Sequence, residues 1–173
     1  MLFEGTWVTP SSLYRSLDLF CGKRAPPFVC TGVDMASSKP DVTVFVPARN
    51  EEGNIPILMD KIARAFADRG VDGEVIFVDD GSTDGTLRML EGIRAATPEQ
   101  IGITVLAQNA GKAEAVRKGL LEVLESNPDL VAYWDADLAT PLEASQSFME
   151  IFKEREDVEM VFGARVKLMG RDI

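Results

Sequence analysis

Two aspartates, Asp135 and Asp137, stand one residue apart directly behind the apolar run Leu130–Trp134. Carboxylates at this spacing reach the same small volume in the turn that follows a strand. Mg²⁺ is typically held by one or two carboxylates together with substrate phosphates, and it keeps several of its waters. The pattern therefore indicates a divalent-cation site. A solvated turn with two helix-capping aspartates is the alternative, and the apolar run in front of the pair favours the cation.

A second acidic pair, Asp79 and Asp80, follows the apolar run Val75–Val78. Neighbouring carboxylates raise one another's pKa unless a cation or hydrogen bonds intervene, so fold stability alone does not call for such a pair. A carboxylate at this place can accept hydrogen bonds from a nucleotide base or from ribose hydroxyls. Gly81, which comes next, predicts a turn, and either Thr83 or Asp84 is expected to cap the following helix.

Phosphate recognition is indicated by Gly111 and Lys112, which open a predicted helix. Free backbone N–H groups at a helix N-terminus, next to a cation, favour the binding of phosphate. As an isolated dipeptide, the pattern is more often an exposed lysine at the start of a helix.

The overall charge is consistent with this chemistry. The chain has 173 residues, with 18 basic and 28 acidic side chains, a formal charge of −10 and no histidine. Without histidine there is no Ser-His-Asp triad, no His-assisted cysteine and no His-Glu-x-x-His zinc site. An acidic chain is a poor nonspecific ligand for nucleic acid or anionic membranes, because both reward basic patches. It suits a protein that places a divalent cation against phosphates.

The cysteines and the hydropathy pattern predict a reduced, cytoplasmic setting. Cys21 and Cys30 form no Cys-x-x-Cys pair, which argues against a disulfide scaffold or a zinc site. No apolar run approaches the ~20 residues that a membrane span needs.

Apolar runs and amphipathic stretches alternate along most of the chain. The predicted strands are Val42–Val46, Val75–Val78, Ile103–Leu106, Leu130–Trp134 and Val158–Phe162. The predicted helices are Asn54–Asp68, Thr86–Ala96, Ala113–Glu125 and Thr140–Arg155. This alternation predicts an α/β fold whose parallel sheet is covered on both faces. Ligands of such sheets bind beyond the carboxyl ends of the strands, so the acidic pairs are expected to meet there.

The first forty residues show no sustained periodicity and contain three turn-forming clusters, at Thr9–Ser12, Pro26–Pro27 and Ser37–Pro40. We therefore expect residues 1–40 to be a flexible N-terminal extension and residues 41–173 to hold the domain. Met35 stands shortly before the first strong strand. Either residues 1–34 lie upstream of the native start, or they form an ordinary flexible arm.

Four motifs taken in order resemble glycosyltransferase family 2, and within it the polyprenyl-phosphate (dolichyl-phosphate) hexosyltransferase branch. The motifs are Val44–Glu52, Val78–Thr86, Asn109–Lys112 and Asp135–Asp137. The resemblance covers about Val42 to Arg165. It implies the GT-A fold, a Rossmann-like nucleotide-sugar-binding fold that has a mostly parallel sheet with helices on both faces.

The resemblance also implies the roles of individual residues. The donor-binding residues would be Pro47, Arg49, Glu51, Asp79, Asp80, Lys112, Asp135 and Arg165. Asp137 would be the direct ligand of Mg²⁺ or Mn²⁺, with Asp135 beside it. Arg49 stands where many members have tyrosine, and a guanidinium there can stack on a base or bind phosphate. The donor would be a UDP- or GDP-sugar.

The implied reaction is the inverting transfer of a hexose to a polyprenyl phosphate or a saccharide. The general base of the family lies beyond the fifth strand and has no counterpart up to Ile173. We therefore expect this chain to hold the donor-binding portion of a longer enzyme, with the acceptor half missing. Membrane contact, at the cytoplasmic face, would involve those missing regions. A non-catalytic nucleotide-sugar-binding module is the alternative.

A metal-dependent phosphotransfer enzyme is a further alternative, and its known patterns fit less well. Haloacid-dehalogenase-type phosphatases require Thr or Val two residues after the second aspartate, where Ala139 stands. A P-loop requires Ser or Thr after its lysine, where Ala113 follows Lys112. Receiver domains carry their acidic pair after the first strand, dinucleotide dehydrogenases need a Gly-x-Gly-x-x-Gly motif, and sugar-nucleotide pyrophosphorylases need a glycine-rich first loop.

Overall fold

In the computed structural model the chain is organised around a six-stranded sheet. The structure describes residues 6–8, 39–137 and 144–163. The strands are β1 (Thr6–Val8), β2 (Val42–Ala48), β3 (Gly73–Asp79), β4 (Ile101–Val105), β5 (Leu130–Tyr133) and β6 (Met160–Val161). The helices are α1 (Ile55–Arg69), α2 (Thr86–Ala96), α3 (Lys112–Ser126) and α4 (Ala144–Glu154).

The strand order is β4-β3-β2-β5-β1-β6, and the four parallel strands define where a ligand can bind. Strands β2, β3, β4 and β5 are parallel, whereas β1 is antiparallel to both of its neighbours. The chain moves outward from β2 to β4, and α3 then carries it back to β5 on the other side of β2. The order of the strands reverses between β2 and β5. This switch point leaves a crevice at the carboxyl ends of the strands.

Alternate side chains of the strands pack into two separate hydrophobic cores, one on each face of the sheet. Val44, Val46 and Phe77 point to one face, where they pack with residues of α1 and α2 and with partly buried residues of α4. Phe45 and Ile76 point to the other face, where they pack with residues of α3. A strand directs successive side chains to opposite faces, so a sheet covered on both faces needs apolar residues at nearly every position. The expected mostly parallel sheet with helices on both faces is confirmed.

Helix α3 lies unusually close to the sheet at Gly119. A Cβ atom at this position would lie 2.6 Å from Cδ2 of Phe45 and 3.2 Å from Cγ2 of Val78. Glycine therefore lets the helix axis approach the strands, as close backbone packing requires. This approach fixes the position of α3, whose first residue is Lys112.

The N-terminal segment differs from the sequence-based expectation. Residues 1–40 were expected to form a flexible extension, and this is wrong for β1, which pairs with β5 from Thr6 opposite Tyr133 to Val8 opposite Val131. Val8 is buried in the core beneath α3. A strand of three residues is too short to show an alternation of apolar and polar side chains. Its sequence gives no signal that separates it from a loop.

The other elements lie within a few residues of their predicted positions. Strand β4 begins two residues earlier than predicted, at Ile101, and β6 is reduced to Met160–Val161. The predicted helix start and cap at Thr140–Glu143 lie outside the described residues. Within the described ranges, no helix has the length and hydropathy needed to cross a membrane.

Candidate functional site

A cleft of about 240 Å³ opens at the carboxyl ends of β2 and β5, where the strand order reverses. Seven predicted site residues line it: Pro47, Arg49, Glu51, Asp80, Lys112, Asp135 and Asp137. Asp79 is buried next to this group and is not a lining residue. Arg165 lies outside the described residues. Parallel topology thus gathers side chains that are up to ninety positions apart in sequence, because the strands end at a common edge.

Asp135 is held by a donor on each of its carboxylate oxygens. The Tyr133 hydroxyl donates to Oδ1 over 2.6 Å, and the Lys112 ammonium donates to Oδ2 over 2.6 Å. Asp135 is 7% exposed, whereas the Lys112 side chain is 63% exposed. Hydrogen bonds to an ionised acceptor are short and about twice as strong as neutral ones. The carboxylate is therefore anchored inside the cleft, and it ties the lysine to the cleft wall.

Asp137 is exposed and lines the same cleft. Within the described ranges, no group of three or more His, Cys, Asp or Glu side chains is arranged to hold a metal ion. Mg²⁺ and its analogues do not need such a cage, because substrate phosphates and waters complete their coordination. The exposed carboxylate of Asp137, with Asp135 beside it, fits a cation of this kind.

Asp80 organises the backbone that leads into α3. Its Oδ1 accepts the N–H of Ala110 over 2.7 Å, and its Oδ2 accepts the N–H of Gly111 over 3.0 Å. Asp80 is 4% exposed, so these hydrogen bonds compensate a buried charge. The sequence predicted a contact with a base or ribose. What the structure shows is that Asp80 fixes the loop before Lys112.

Gly81 brings the same two loops into backbone contact. It has a φ of +66°, and a Cβ atom there would lie 2.8 Å from the backbone nitrogen of Asn109. A larger residue would be strained by the positive φ and would collide with backbone atoms. Asn109 also lines the cleft, and the sequence analysis did not assign it to the donor-binding set.

One carboxylate oxygen of Asp79 has no hydrogen-bond partner among the described residues. The carboxylate is 1% exposed, and its Oδ2 accepts the N–H of Ser82 over 3.2 Å. Among the described residues, its Oδ1 is the buried side-chain oxygen or nitrogen that lacks a hydrogen bond. Buried polar atoms are nearly always satisfied, so an exception calls for an explanation. A ligand that donates a hydrogen bond is one such explanation.

The loops after β2 and β3 are joined by reciprocal hydrogen bonds. Asn50, with a φ of 56°, accepts the N–H of Thr83 over 2.8 Å and donates its own N–H to Ser82 over 3.0 Å. The N–H of Glu51 donates to the buried Thr86 hydroxyl over 2.7 Å. Much of the motifs Val44–Glu52 and Val78–Thr86 therefore serves to hold the loop after β2 against the loop after β3. This arrangement keeps the cleft side of both loops fixed.

Asp84 stays ionised at the start of α2. Hydrogen bonds from Thr86 hold the pKa of the Asp84 carboxyl below its ordinary value. The N–H of Thr86 donates to Asp84 over 3.0 Å. The N-cap position of α2 is Gly85, which makes no side-chain cap hydrogen bond, so the prediction that Asp84 or Thr83 caps the helix is wrong. Asp84 instead accepts the N–H of Thr86 from one residue before the N-cap.

Tyr133 is the main residue that the sequence analysis missed. It was counted only as part of an apolar strand, and its hydroxyl contacts a site carboxylate. A signal was present, since Tyr133 and Asp135 are two residues apart and an extended chain directs such residues to the same side. A tyrosine hydroxyl that is buried usually finds a partner.

The fold is that of a Rossmann-like α/β protein, with a cleft at the switch point. Residues 43–172 match the family model for Glycosyl transferase family 2. The chain belongs to this family of sugar transferases, which confirms the resemblance drawn from the motifs.

Named relatives extend the comparison. The chain is 32% identical over 117 residues to an undecaprenyl-phosphate 4-deoxy-4-formamido-L-arabinose transferase of Klebsiella pneumoniae (strain 342), covering 68% of this chain and 35% of the relative. A protein of the same name from Serratia proteamaculans (strain 568) is 34% identical over 121 residues, with the same coverage. The structure of S. aureus TarS 1-349 superposes with a TM-score of 0.53 and 26% identity, over 67% of this chain and 33% of that one. The chain spans about a third of the length of these proteins.

Proposed function

We propose that this chain binds a nucleotide-diphospho-sugar together with a divalent cation, as the donor-binding part of an inverting hexosyltransferase. One observation carries the proposal: the cleft at the switch point brings together an exposed carboxylate, Asp137, and a tethered ammonium, Lys112. A metal-bound diphosphate needs one oxygen ligand from the protein and one positive group nearby. Family membership supports the same assignment.

The diphosphate would lie between Asp137 and the N-terminus of α3. The helix begins at Lys112, and the preceding Gly111 lines the cleft. The N-terminus of a helix carries a partial positive charge and unsatisfied N–H groups, both of which favour phosphate. Arg49, which also lines the cleft, would supply a second positive charge to the nucleotide.

The nucleoside would be recognised on the β2 and β3 side of the cleft. Asp79 offers an unpartnered carboxylate oxygen, which an N–H of a base would satisfy. Pro47 and Glu51 also line the cleft, and the Glu51 side chain already accepts a hydrogen bond from Asn54 over 2.7 Å. We assign these groups to the base and ribose.

The chemistry follows from charge. When bound, a Mg²⁺ or Mn²⁺ ion would neutralise charge that develops on the departing nucleoside diphosphate. Lys112 would stabilise the same leaving group while Asp135 holds the ammonium in place. An acceptor that is a lipid phosphate is already ionised, whereas a sugar hydroxyl needs a general base. The relatives are named as undecaprenyl-phosphate transferases, and we propose a polyprenyl phosphate or a saccharide as the acceptor. A lipid acceptor would bring the reaction to the cytoplasmic face of a membrane.

Calorimetric titration of the full chain with UDP and GDP tests the proposal, each with and without Mg²⁺ or Mn²⁺. We expect at least one nucleotide to bind in a metal-dependent manner. Asp137→Asn should weaken that binding by about a hundredfold, the upper range for perturbing a metal site. Asp157→Asn is the matched control, because it makes the same charge change at an exposed ion pair with Arg155.

Two results would reject the assignment. One is the absence of metal-dependent binding of either nucleotide. The other is an Asp137→Asn variant that binds as tightly as the Asp157→Asn control.

A further inference from the structure

Tyr133 occupies a position from which it can control the donor site without touching the donor. It is 4% exposed, and its ring stacks on Phe45 with a centroid separation of 5.3 Å and an interplanar angle of 22°. The ring is thereby fixed in the core beneath α3. Its hydroxyl projects to Oδ1 of Asp135, 2.6 Å away.

The hydroxyl removes a rotational freedom from Asp135. A carboxylate turns about its terminal torsion with little preference, because that torsion is broad and roughly two-fold. A rigid donor on Oδ1 selects one orientation. Oδ2 then faces Lys112, whose Nζ lies 2.6 Å away.

The ammonium needs such an anchor. An exposed lysine loses considerable rotamer entropy when it is held in one place, and ion pairs of exposed groups contribute little. Here one partner is exposed and the other is buried and fixed. The buried hydroxyl of Tyr133 is therefore what allows an exposed ammonium to keep a defined position over the cleft.

We propose that Tyr133 is a positioning residue of the donor site, which orients Asp135 so that Asp135 holds the Lys112 ammonium where the diphosphate binds. This inference rests on the proposed function. It adds two linked contacts, from the buried Tyr133 to Asp135 and from Asp135 to the Lys112 ammonium.

The test is Tyr133→Phe, which retains the ring stacked on Phe45 and removes only the hydroxyl. With Mg²⁺ or Mn²⁺ present, we expect affinity for UDP or GDP, whichever the wild type binds, to fall about tenfold, since hydrogen bonds to charged groups are worth about that factor or more. Affinity for the matching nucleoside, uridine or guanosine, should not change, because the nucleoside does not reach Lys112. The thermal unfolding midpoint is monitored alongside.

A double-mutant cycle separates positioning from general destabilisation. If Tyr133 acts through Lys112, adding Tyr133→Phe to Lys112→Met should cause no further loss of diphosphate affinity. Thr43→Val is the matched control, because it removes a buried hydroxyl that donates to Glu74 over 3.2 Å at the other end of the sheet. This control should bind the nucleotide like the wild type.

Unchanged UDP or GDP affinity in Tyr133→Phe, an equal loss for the nucleoside, or full additivity with Lys112→Met would each overturn the inference. If the wild type binds neither nucleotide, the donor-site proposal fails, and amine labelling decides the role of Tyr133 independently. We expect Tyr133→Phe to raise the rate at which Lys112 is acetylated by a small reagent several-fold, because an amine that its carboxylate partner no longer holds is more open to the reagent. Peptide mass spectrometry measures the rate. An unchanged labelling rate would again overturn it.

Discussion

The two ends of the parallel sheet each contain a carboxylate that accepts a hydrogen bond from a buried hydroxyl. At the carboxyl end, Tyr133 donates to Asp135. At the amino end, Thr43 donates to Glu74, its neighbour in the β2–β3 register. The chemistry of the two pairs is similar, and their surroundings are different.

The difference lies in what faces the second oxygen. Asp135 faces the ammonium of Lys112 and an open cleft. Burial raises the pKa of Glu74 above its ordinary value, hydrogen bonds from Thr43 and Ser126 oppose this rise, and the charge of Glu122 adds to it. A half-buried carboxylate is therefore not a functional site by itself. The cation beside it and the cleft in front of it distinguish the carboxyl end.

The largest effect is expected for Asp80→Asn at the carboxyl end. The amide would keep one acceptor for the N–H groups of Ala110 and Gly111 and would direct its own NH₂ group at the other. We expect the free energy of unfolding to fall by about 2–3 kcal/mol, as for hydrogen bonds to a charged group. Urea unfolding measures it.

Asp84→Asn is the control for this change, because Asp84 accepts backbone N–H groups in the same loop but is exposed. We expect a clearly smaller loss of stability for Asp84→Asn. Equal losses for the two variants would show that Asp80 does not anchor the entry to α3.

Removing the Lys112 ammonium should leave Asp135 in surroundings similar to those of Glu74, with a hydroxyl donor and no cation beside it. In Lys112→Met, Asp135 keeps only the hydrogen bond from Tyr133. We expect a loss of about 1 kcal/mol in unfolding free energy, because Lys112 is largely exposed and solvent screens the pair. Affinity for UDP or GDP should fall about tenfold, as for loss of a charge-assisted hydrogen bond. Lys153→Met, at an exposed position of α4, makes the same charge change and should leave affinity unaltered.

At the amino end, Glu74→Gln should raise the stability of the fold relative to the wild type as the pH rises, whereas the variants at the carboxyl end lower stability. A carboxyl whose pKa is raised in the folded state stabilises the fold below its ordinary pKa, and this contribution is lost as pH rises through the folded value. The wild type should therefore lose stability relative to Glu74→Gln as the pH rises above the ordinary glutamate pKa of 4.5. Thermal unfolding at increasing pH measures the difference, with the exposed Glu99→Gln as control. A stability difference between the wild type and Glu74→Gln that does not change with pH would contradict a raised pKa for Glu74.

The smallest effect is expected for an exposed pair away from both ends. Asp60 and Arg64 form an i,i+4 ion pair on α1 with a separation of 3.0 Å. Asp60→Asn should change the unfolding free energy by less than about 0.5 kcal/mol and should not alter nucleotide binding. A larger change would mean that exposed charges on α1 matter for the fold.

The sequence was sufficient to predict that the acidic pairs meet at the carboxyl edge of the sheet. Strand ends are marked by a switch from apolar to acidic residues, and parallel strands bring such ends together. The alternation of strands and helices gave the fold class for the same reason. Both inferences depend on patterns that are local in sequence.

The sequence was not sufficient where the partner is distant or the element is short. The N–H groups bound by Asp80 lie 30 and 31 residues away, so nothing local identifies them. Lys112 and Asp135 are 23 residues apart and meet only because α3 crosses the sheet. Strand β1, with three residues, is defined by its pairing with β5 rather than by its own pattern.

The most direct test of the account is an amide NMR titration of the full chain with UDP or GDP and Mg²⁺. Shifts should concentrate at the carboxyl end, in the loop from Asn109 to Lys112 and the turn from Asp135 to Asp137. The amides of Thr43, Glu74 and Ser126 at the amino end should not move. Shifts at the amino end, or none in the cleft at saturating nucleotide, would contradict the claim that the carboxyl edge binds the donor.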